Sequence, residues 1–293
     1  MLKGRLGLET ARVPHTDRHG CMWLGHGNLF VEDGTLRFLT AGTAELPSGN
    51  YALPFQMVSC LLLQPGTTVS HDAFRILHRH GVNVVFVGQD GVRFYASLPS
   101  GPDSSQLARR QVEAWSSEPR RIFVVRRMYA WRLGELLPAT DINALRGIEG
   151  ARMKETYRRL AKDFGITWRG RRYDRSKPEA ADIPNQAINH AASALEGAAL
   201  TAVAATATIP QLGFIHEDSG QAFALDISDL FRDSVLLPVA FGAARRVQQK
   251  GDGPVERVVR RLAGDTFRKE NVIPKMIDRI KDLFDADDDR GDP

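Results

Sequence analysis

The residues best equipped for chemistry lie in GFIHEDSGQAFALDISDLFR, positions 213–232, where His216 and two aspartates, Asp226 and Asp229, are set around an apolar run. A spacing of three on a helix puts Asp226 and Asp229 on one face about a turn apart, where like charges repel. A cation beside them removes that repulsion. Imidazole together with carboxylates is a ligand set for Mg²⁺ or Mn²⁺, the nitrogen favouring Mn²⁺ somewhat. The same pattern also serves a helix N-cap or a surface pair, and a single histidine also serves packing. His216 is followed by Glu-Asp-Ser-Gly, a turn that would return it beside the next helix. A third acid, Glu149, stands mid-helix in LRGIEGAR between Gly147 and Gly150. Each glycine costs about 1 kcal/mol against alanine in a helix interior. Removing side chains beside an acid lets a neighbouring helix or a nucleic-acid backbone come close.

The elements that must position these residues divide at one place. From Cys21 to Ser97 the chain reads as short strands: CMWLGHGNLFV, TLRFLT, YALPFQMVSCLLL, NVVFV and VRFYAS, with hairpin signals at Asp33-Gly34 and Asp90-Gly91. One helix, SHDAFRILHRHG, interrupts them, capped by Ser70 and closed by Gly81. LPSGPDSS, from Leu98, concentrates residues that break regular structure, and beyond it the hydrophobic period becomes helical. The expected architecture is α+β: a β-rich N-terminal domain (1–98), a linker (99–105), a larger all-α catalytic domain (106–284) and an acidic, disordered tail (285–293). Within the helical half, ITWRGRRYDRSKPEAADIP reads as a long basic surface loop.

With 293 residues, 43% hydrophobic and 25% charged, the chain has an ordinary globular composition. Its formal charge is only +4, yet arginines cluster, as at 109–110, 120–121, 126–127, 158–159 and 260–261. Guanidinium forks suit phosphate oxygens, and solvated helix faces are the competing account of these clusters. Cys21 and Cys60 are the only cysteines and form no CxxC, which excludes a disulfide framework and a cysteine zinc site. No secretory signal or bilayer-length apolar run is present, so cytoplasmic residence and no membrane partner are expected.

QPGTTVSHDAFR, GVRFYAS, LRGIEGAR, GITWRGRRYD, GFIHEDSG and ALDISDLFR, in that order and spacing, resemble one family. It is the CRISPR-associated spacer-acquisition integrase and endonuclease, the "Cas one" family, closest to its type I-E branch. The resemblance implies Glu149, His216 and Asp229 as ligands of Mg²⁺ or Mn²⁺, with Asp226 an accessory carboxylate facing the same pocket. It implies a reaction in which the 3′-hydroxyl of a short DNA fragment, the prespacer, attacks a phosphodiester of the CRISPR repeat, so that the protein supplies no covalent nucleophile. It also implies a homodimer, paired through the small ferredoxin-like partner "Cas two" into a heterohexamer. By motif position Arg75, Arg93, Arg257 and Arg260 would contact DNA, Tyr173 would stack or hydrogen-bond, and Arg232 would bond a ligand or touch phosphate. His26 and Glu196 depart from the aromatic residues that related proteins place there. Two rival readings stand beside this one: a metal-dependent nuclease for branched or single-stranded DNA, and a non-catalytic DNA-binding scaffold.

Overall fold

The computed structural model describes residues 18–43, 46–97, 105–135, 141–172, 181–251 and 253–285. All but the last residue of the expected linker, Tyr173 and the acidic tail beyond residue 285 lie outside these. Among the described residues every strand precedes Gln106, and helices dominate after it, which is the α+β division expected.

The N-terminal part contains β1 (His19–Leu24), β2 (Gly27–Glu32), β3 (Thr35–Thr40), β4 (Gly49–Ala52), β5 (Val58–Leu63), β6 (Thr67–Val69), α1 (His71–Arg79), β7 (Asn83–Val87) and β8 (Phe94–Ser97). They form two four-stranded sheets, ordered β1-β5-β7-β8 and β4-β3-β2-β6. Asp33 (φ 49°) and Gly34 (φ 74°) make the left-handed turn that joins β2 to β3. Ser70 caps α1 by accepting from the Ala73 N–H at 3.2 Å, and Gly81 closes it with φ 63°.

Two apolar runs that read as continuous are broken. CMWLGHGNLFV divides at Gly25-His26, where His26 takes φ 55°, and its halves enter different sheets: β1 pairs in parallel with β5, while β2 pairs antiparallel with β3 and parallel with β6. YALPFQMVSCLLL breaks at Pro54, which has no N–H to continue a ladder, and a 3₁₀ turn Phe55–Met57 precedes β5. Strands β5 and β7 are apolar on both sides because both sides are covered. Leu61, Leu63 and Val84 face a core shared with Ala73 and Leu77 of α1, while Cys60, Leu62, Val85 and Val87 pack with Ala204 and Ala205 of the helical part.

The helical part comprises α2 (Gln106–Ser116), α3 (Glu118–Leu133), α4 (Ile142–Asp163), α5 (Ile183–Thr206), α6 (Ala222–Asp229), α7 (Leu237–Lys250), α8 (Val255–Lys269) and α9 (Val272–Asp285). Asp182 caps α5 through the Asn185 N–H at 3.0 Å, and Pro184 sits in its first turn, where no N–H is needed. Its alanines cost no side-chain entropy and keep it thin, so α5 is buried nearly all round and packs against α6, α7, α8 and α9. Gly197 lets it touch the other half of the molecule: a Cβ there would lie 3.0 Å from Arg93 Cα. Asn83 reinforces the joint by donating to the Ala204 carbonyl at 2.7 Å. No helix among the described residues is long and apolar enough to cross a membrane.

The glycines beside Glu149 do not serve helix packing. A Cβ at Gly147 or Gly150 meets nothing within 4 Å, so this face of α4 is open.

Candidate active site

His216 stands on the loop that leads into α6, and its position is set mainly by hydrogen bonds to that loop's backbone. Gln111, fully buried on α2, accepts from the Ile209 N–H at 2.7 Å and donates to the Ile209 and Leu212 carbonyls, each at 2.9 Å. Trp115 Nε1 donates to the Gly213 carbonyl at 3.0 Å, and Arg121 donates to the Phe214 carbonyl through Nε at 3.3 Å and Nη2 at 3.1 Å. Arg146 donates to the Ile215 carbonyl. Thus α2, α3 and α4 hold successive carbonyls of one loop. Gly213 makes the turn feasible, since a Cβ there would lie 2.3 Å from the His216 carbonyl oxygen and 2.7 Å from Ala222 Cβ. A cleft of 520 Å³ borders this support, lined in part by Trp115, Glu118, Arg121, Asp141, Arg146 and Glu217.

On the inner side the loop closes on Asp226. Its carboxylate is fully buried and accepts from the N–H groups of Phe214 (2.5 Å), Ile215 (3.1 Å) and His216 (3.0 Å), and from His216 Nδ1 (2.7 Å). Both oxygens are committed. Asp226 therefore does not face an open pocket beside Asp229, as the three-residue spacing implies; the 100° rotation per residue leaves the two side chains far enough apart in angle for one to be buried. The role of Asp226 is to fix His216: with its proton shared from Nδ1, the imidazole is left with Nε2 as its free acceptor. That hydrogen bond raises the His216 pKa, against the opposing effect of burial, and the nearby Asp226 and Asp229 charges add to the rise.

Nε2 points toward Asp229 Oδ2, 4.0 Å away. The other oxygen of Asp229 accepts from Arg232 Nη1 at 3.0 Å, and Arg232 Nη2 donates to the Tyr157 hydroxyl at 2.9 Å. Burial works against the Arg232 cation, but Asp229 and Tyr157 outweigh it and the pKa is raised. Arg232 begins a π-helical turn, Arg232–Leu236, just before Pro238, which offers no N–H for an ordinary helical bond to Ser234.

Glu149, on α4, is 23% exposed, and Oε1 lies 2.8 Å from Nη2 of Arg132, whose side chain is only 4% exposed. Tyr129, one turn before Arg132, is buried, and its pKa is pushed up to about 12 by burial, then by Glu149, with Asp229 adding to the rise. Glu149 and Asp229 thus act on the same phenol. Asp233 is half-buried nearby, its Oδ1 enclosed and unbonded, and burial pushes its carboxyl up against the pull of Arg132 and Arg232. Among the described residues no three His, Cys, Asp or Glu side chains already stand close enough together to hold a metal ion. The arrangement brings His216 and Asp229 together and leaves Glu149 paired with Arg132.

Of the residues expected to meet DNA, Arg93 and Arg260 converge from opposite halves on Glu256, at 3.4 and 3.7 Å. His190 of α5 joins them, its pKa lowered chiefly by burial and countered by Glu256. Arg75 pairs with Asp72 at 3.1 Å on exposed α1, Arg257 is exposed on α8, and Tyr173 lies outside the described residues. Arg232 is turned inward. His26 is exposed on the β1–β2 turn, and burial raises the pKa of half-buried Glu196. Sequence reasoning missed Gln111, Trp115, Arg121, Tyr129, Arg132 and Arg146. The available signal was a set of polar or charged side chains within the apolar period of α2, α3 and the start of α4, which the arginine clusters masked.

In the helical half of this two-part molecule, a loop-borne histidine fixed by a buried aspartate thus stands beside a helix-borne aspartate. The family model for "CRISPR associated protein Cas1" matches residues 24–134 and 129–261. The chain belongs to the Cas1 family. It is 37% identical to the CRISPR-associated endonuclease Cas1 of Escherichia coli (strain K12), over 94% of this chain and 87% of that protein. The Cas1 endonuclease of Geobacter sulfurreducens is 35% identical over the same shares. The crystal structure of a TtCas1–DNA complex superposes with a TM-score of 0.82 at 30% identity, covering 94% of this chain and all of that one. A casposase bound to its integration product shares the fold at 14% identity and a TM-score of 0.67, covering 92% of this chain and 97% of that one.

Proposed function

We propose that the chain is a divalent-metal-dependent DNA integrase of CRISPR adaptation, with endonuclease capability and closest to the type I-E branch. The 3′-hydroxyl of a DNA fragment gives up its proton as its oxygen bonds to a repeat phosphorus, the existing P–O bond to the target strand breaks, and the departing 3′-oxygen takes up a proton, so none is consumed overall. The observation that carries this reading is the imidazole of His216, oriented by fully buried Asp226 with Nε2 4.0 Å from Asp229 Oδ2.

The donor set fits Mg²⁺ or Mn²⁺: one imidazole nitrogen, one carboxylate oxygen of Asp229 not bonded to Arg232, and Glu149 as the third ligand. When bound, such an ion supplies Lewis-acid stabilisation of the phosphate charge. Asp226 keeps the His216 proton on Nδ1, so Nε2 is presented as a donor atom. Arg232 pairs with Asp229 and tethers only one of its oxygens. The backbone clamps from Gln111, Trp115, Arg121 and Arg146 hold His216 still while a strand is bound.

The partners in this reading are double-stranded fragment DNA, repeat DNA, a second copy of the chain and the Cas two dimer in a cytoplasmic heterohexamer. Arg93 and Arg260, with Arg75, Arg257 and Tyr173, supply phosphate and stacking contacts. The convergence of Arg93 and Arg260 supports that assignment, as do the fold shared with a DNA-bound Cas1 and the endonuclease names of the relatives.

The test is strand transfer: labelled fragment, a supercoiled plasmid carrying a repeat array, and Mn²⁺, with and without the small partner. Covalent transfer of label that disappears in Glu149→Ala and Asp229→Ala supports integration. Cleavage without transfer favours the nuclease reading. No reaction, with Mn²⁺ binding unaffected by either substitution, leaves only a scaffold.

A further inference from the structure

Arg132 is a buried cation with an unusual set of neighbours. It lies in the last turn of α3 with its side chain 4% exposed, and Nη2 is 2.8 Å from Glu149 Oε1. Neither Nε nor Nη2 has a hydrogen-bond partner, so the contact with Glu149 is one of charge without a directed bond. Burying a guanidinium is costly unless charge and hydrogen bonds both compensate it, and here the compensation is chiefly charge. Arg232 makes the contrast. It bonds Asp229 Oδ1 and Tyr157, is fixed by both, and leaves Asp229 Oδ2 facing His216. One arginine is anchored beside its carboxylate; the other is held mainly by the acid that should bind metal.

We propose that Arg132 is a positioning residue, an internal counter-ion that holds Glu149 in the metal-free protein and competes with the divalent ion for that carboxylate. The inference rests on the reading of Glu149, His216 and Asp229 as the ligand set. Its physical content is a competition. In the metal-free state Arg132 balances Glu149 within a group of acids that also includes Asp229 and Asp233. When a doubly charged ion arrives, Glu149 must leave Arg132 or be shared with it, and the guanidinium then faces a like charge. Arg132 therefore stabilises the folded protein without metal and weakens metal binding. A residue that only supported the fold would do the first and not the second.

The experiment uses the full-length chain and Mn²⁺ as probe, with binding read by calorimetry and by the EPR signal of free Mn²⁺. Arg132→Gln is expected to tighten Mn²⁺ binding about tenfold, to lower the metal-free melting temperature, and to enlarge the rise in melting temperature on adding Mn²⁺. Arg132→Lys keeps the charge but shortens the reach; it should fold even if Arg132→Gln does not, and should tighten binding by about twofold to threefold. Glu149→Gln added to Arg132→Gln should recover part of the lost metal-free stability. If wild type binds Mn²⁺ through His216, as shown by its loss in His216→Ala, and the folded Arg132 variants bind no tighter, the competition is wrong while the ligand assignment stands. Binding that appears only in the Arg132 variants supports the competition directly. If neither wild type nor variants bind, the ligand assignment itself fails, and the competition with it.

Discussion

Replacing Asp226 by asparagine changes one atom and should have consequences out of proportion to it. Four donors converge on the carboxylate: the N–H groups of Phe214 and Ile215 on one oxygen, and the N–H and Nδ1–H of His216 on the other. Asparagine offers one carbonyl oxygen and one NH₂, so two backbone donors face a donor if the NH₂ turns toward Phe214 and Ile215, and one does if it turns toward His216, whose Nδ1 must then give up its proton and accept. Each unsatisfied donor costs about 1–3 kcal/mol, so Asp226→Asn should lose about 2–4 kcal/mol of stability. That is a large share of the roughly 5–15 kcal/mol that keeps a domain folded. The bond to Asp226 is also the main reason the His216 pKa is raised, so the variant's His216 pKa should fall. Urea unfolding gives the first quantity, and NMR titration of the imidazole in metal-free protein gives the second. Asp229→Asn is the control: that carboxylate is 24% exposed, and an amide oxygen can still accept from Arg232, so its loss should cost less, about 1–2 kcal/mol. An Asp226→Asn protein within 1 kcal/mol of wild type, with an unshifted His216, would refute the account of how the site is held.

Three further outcomes follow from the structure. Gly213→Ala should destabilise the protein by about 2–3 kcal/mol and abolish strand transfer, because the new methyl group collides with the His216 carbonyl; thermal melts and the transfer assay measure both. Burial lowers the His190 pKa in the folded state, so its contribution to stability is complete above the unfolded value near 6.5 and is lost as pH falls toward the folded value. His190→Gln should flatten the stability profile in that acid window. Glu256→Gln should release Arg93 and Arg260 from a shared carboxylate, tightening fragment DNA binding by about threefold at low salt and steepening its salt dependence, as read by fluorescence anisotropy.

The features legible in the sequence were those decided locally. Asp33-Gly34 makes its hairpin and Ser70 its cap because neighbouring residues determine both. The helical half followed from its period, and Asp141 and Asp182 cap α4 and α5 as their residue types favour. The parallel pairing of β1, β5 and β7 was not legible, since Cys21 opposite Cys60 depends on contacts made far away along the chain. Nor was the division of labour between Asp226 and Asp229, because spacing gives the angle between two side chains but not which of them the core absorbs. Arg121 illustrates the limit for charge: within an arginine cluster it reads as a surface or phosphate contact, yet it holds the Phe214 carbonyl.

α5 meets the backbone at Arg93 with no side chain between them, and that contact has a mechanical consequence. Gly197 seats the helix on the backbone at Arg93, and the same rod continues past α6, which carries Asp229. A helix buried nearly all round and seated within its length on the β-rich half leaves little slack between the two. A shift of the backbone at Arg93 would therefore be felt at Asp229 with little damping, so the β-rich half and the acid on α6 would move as one body.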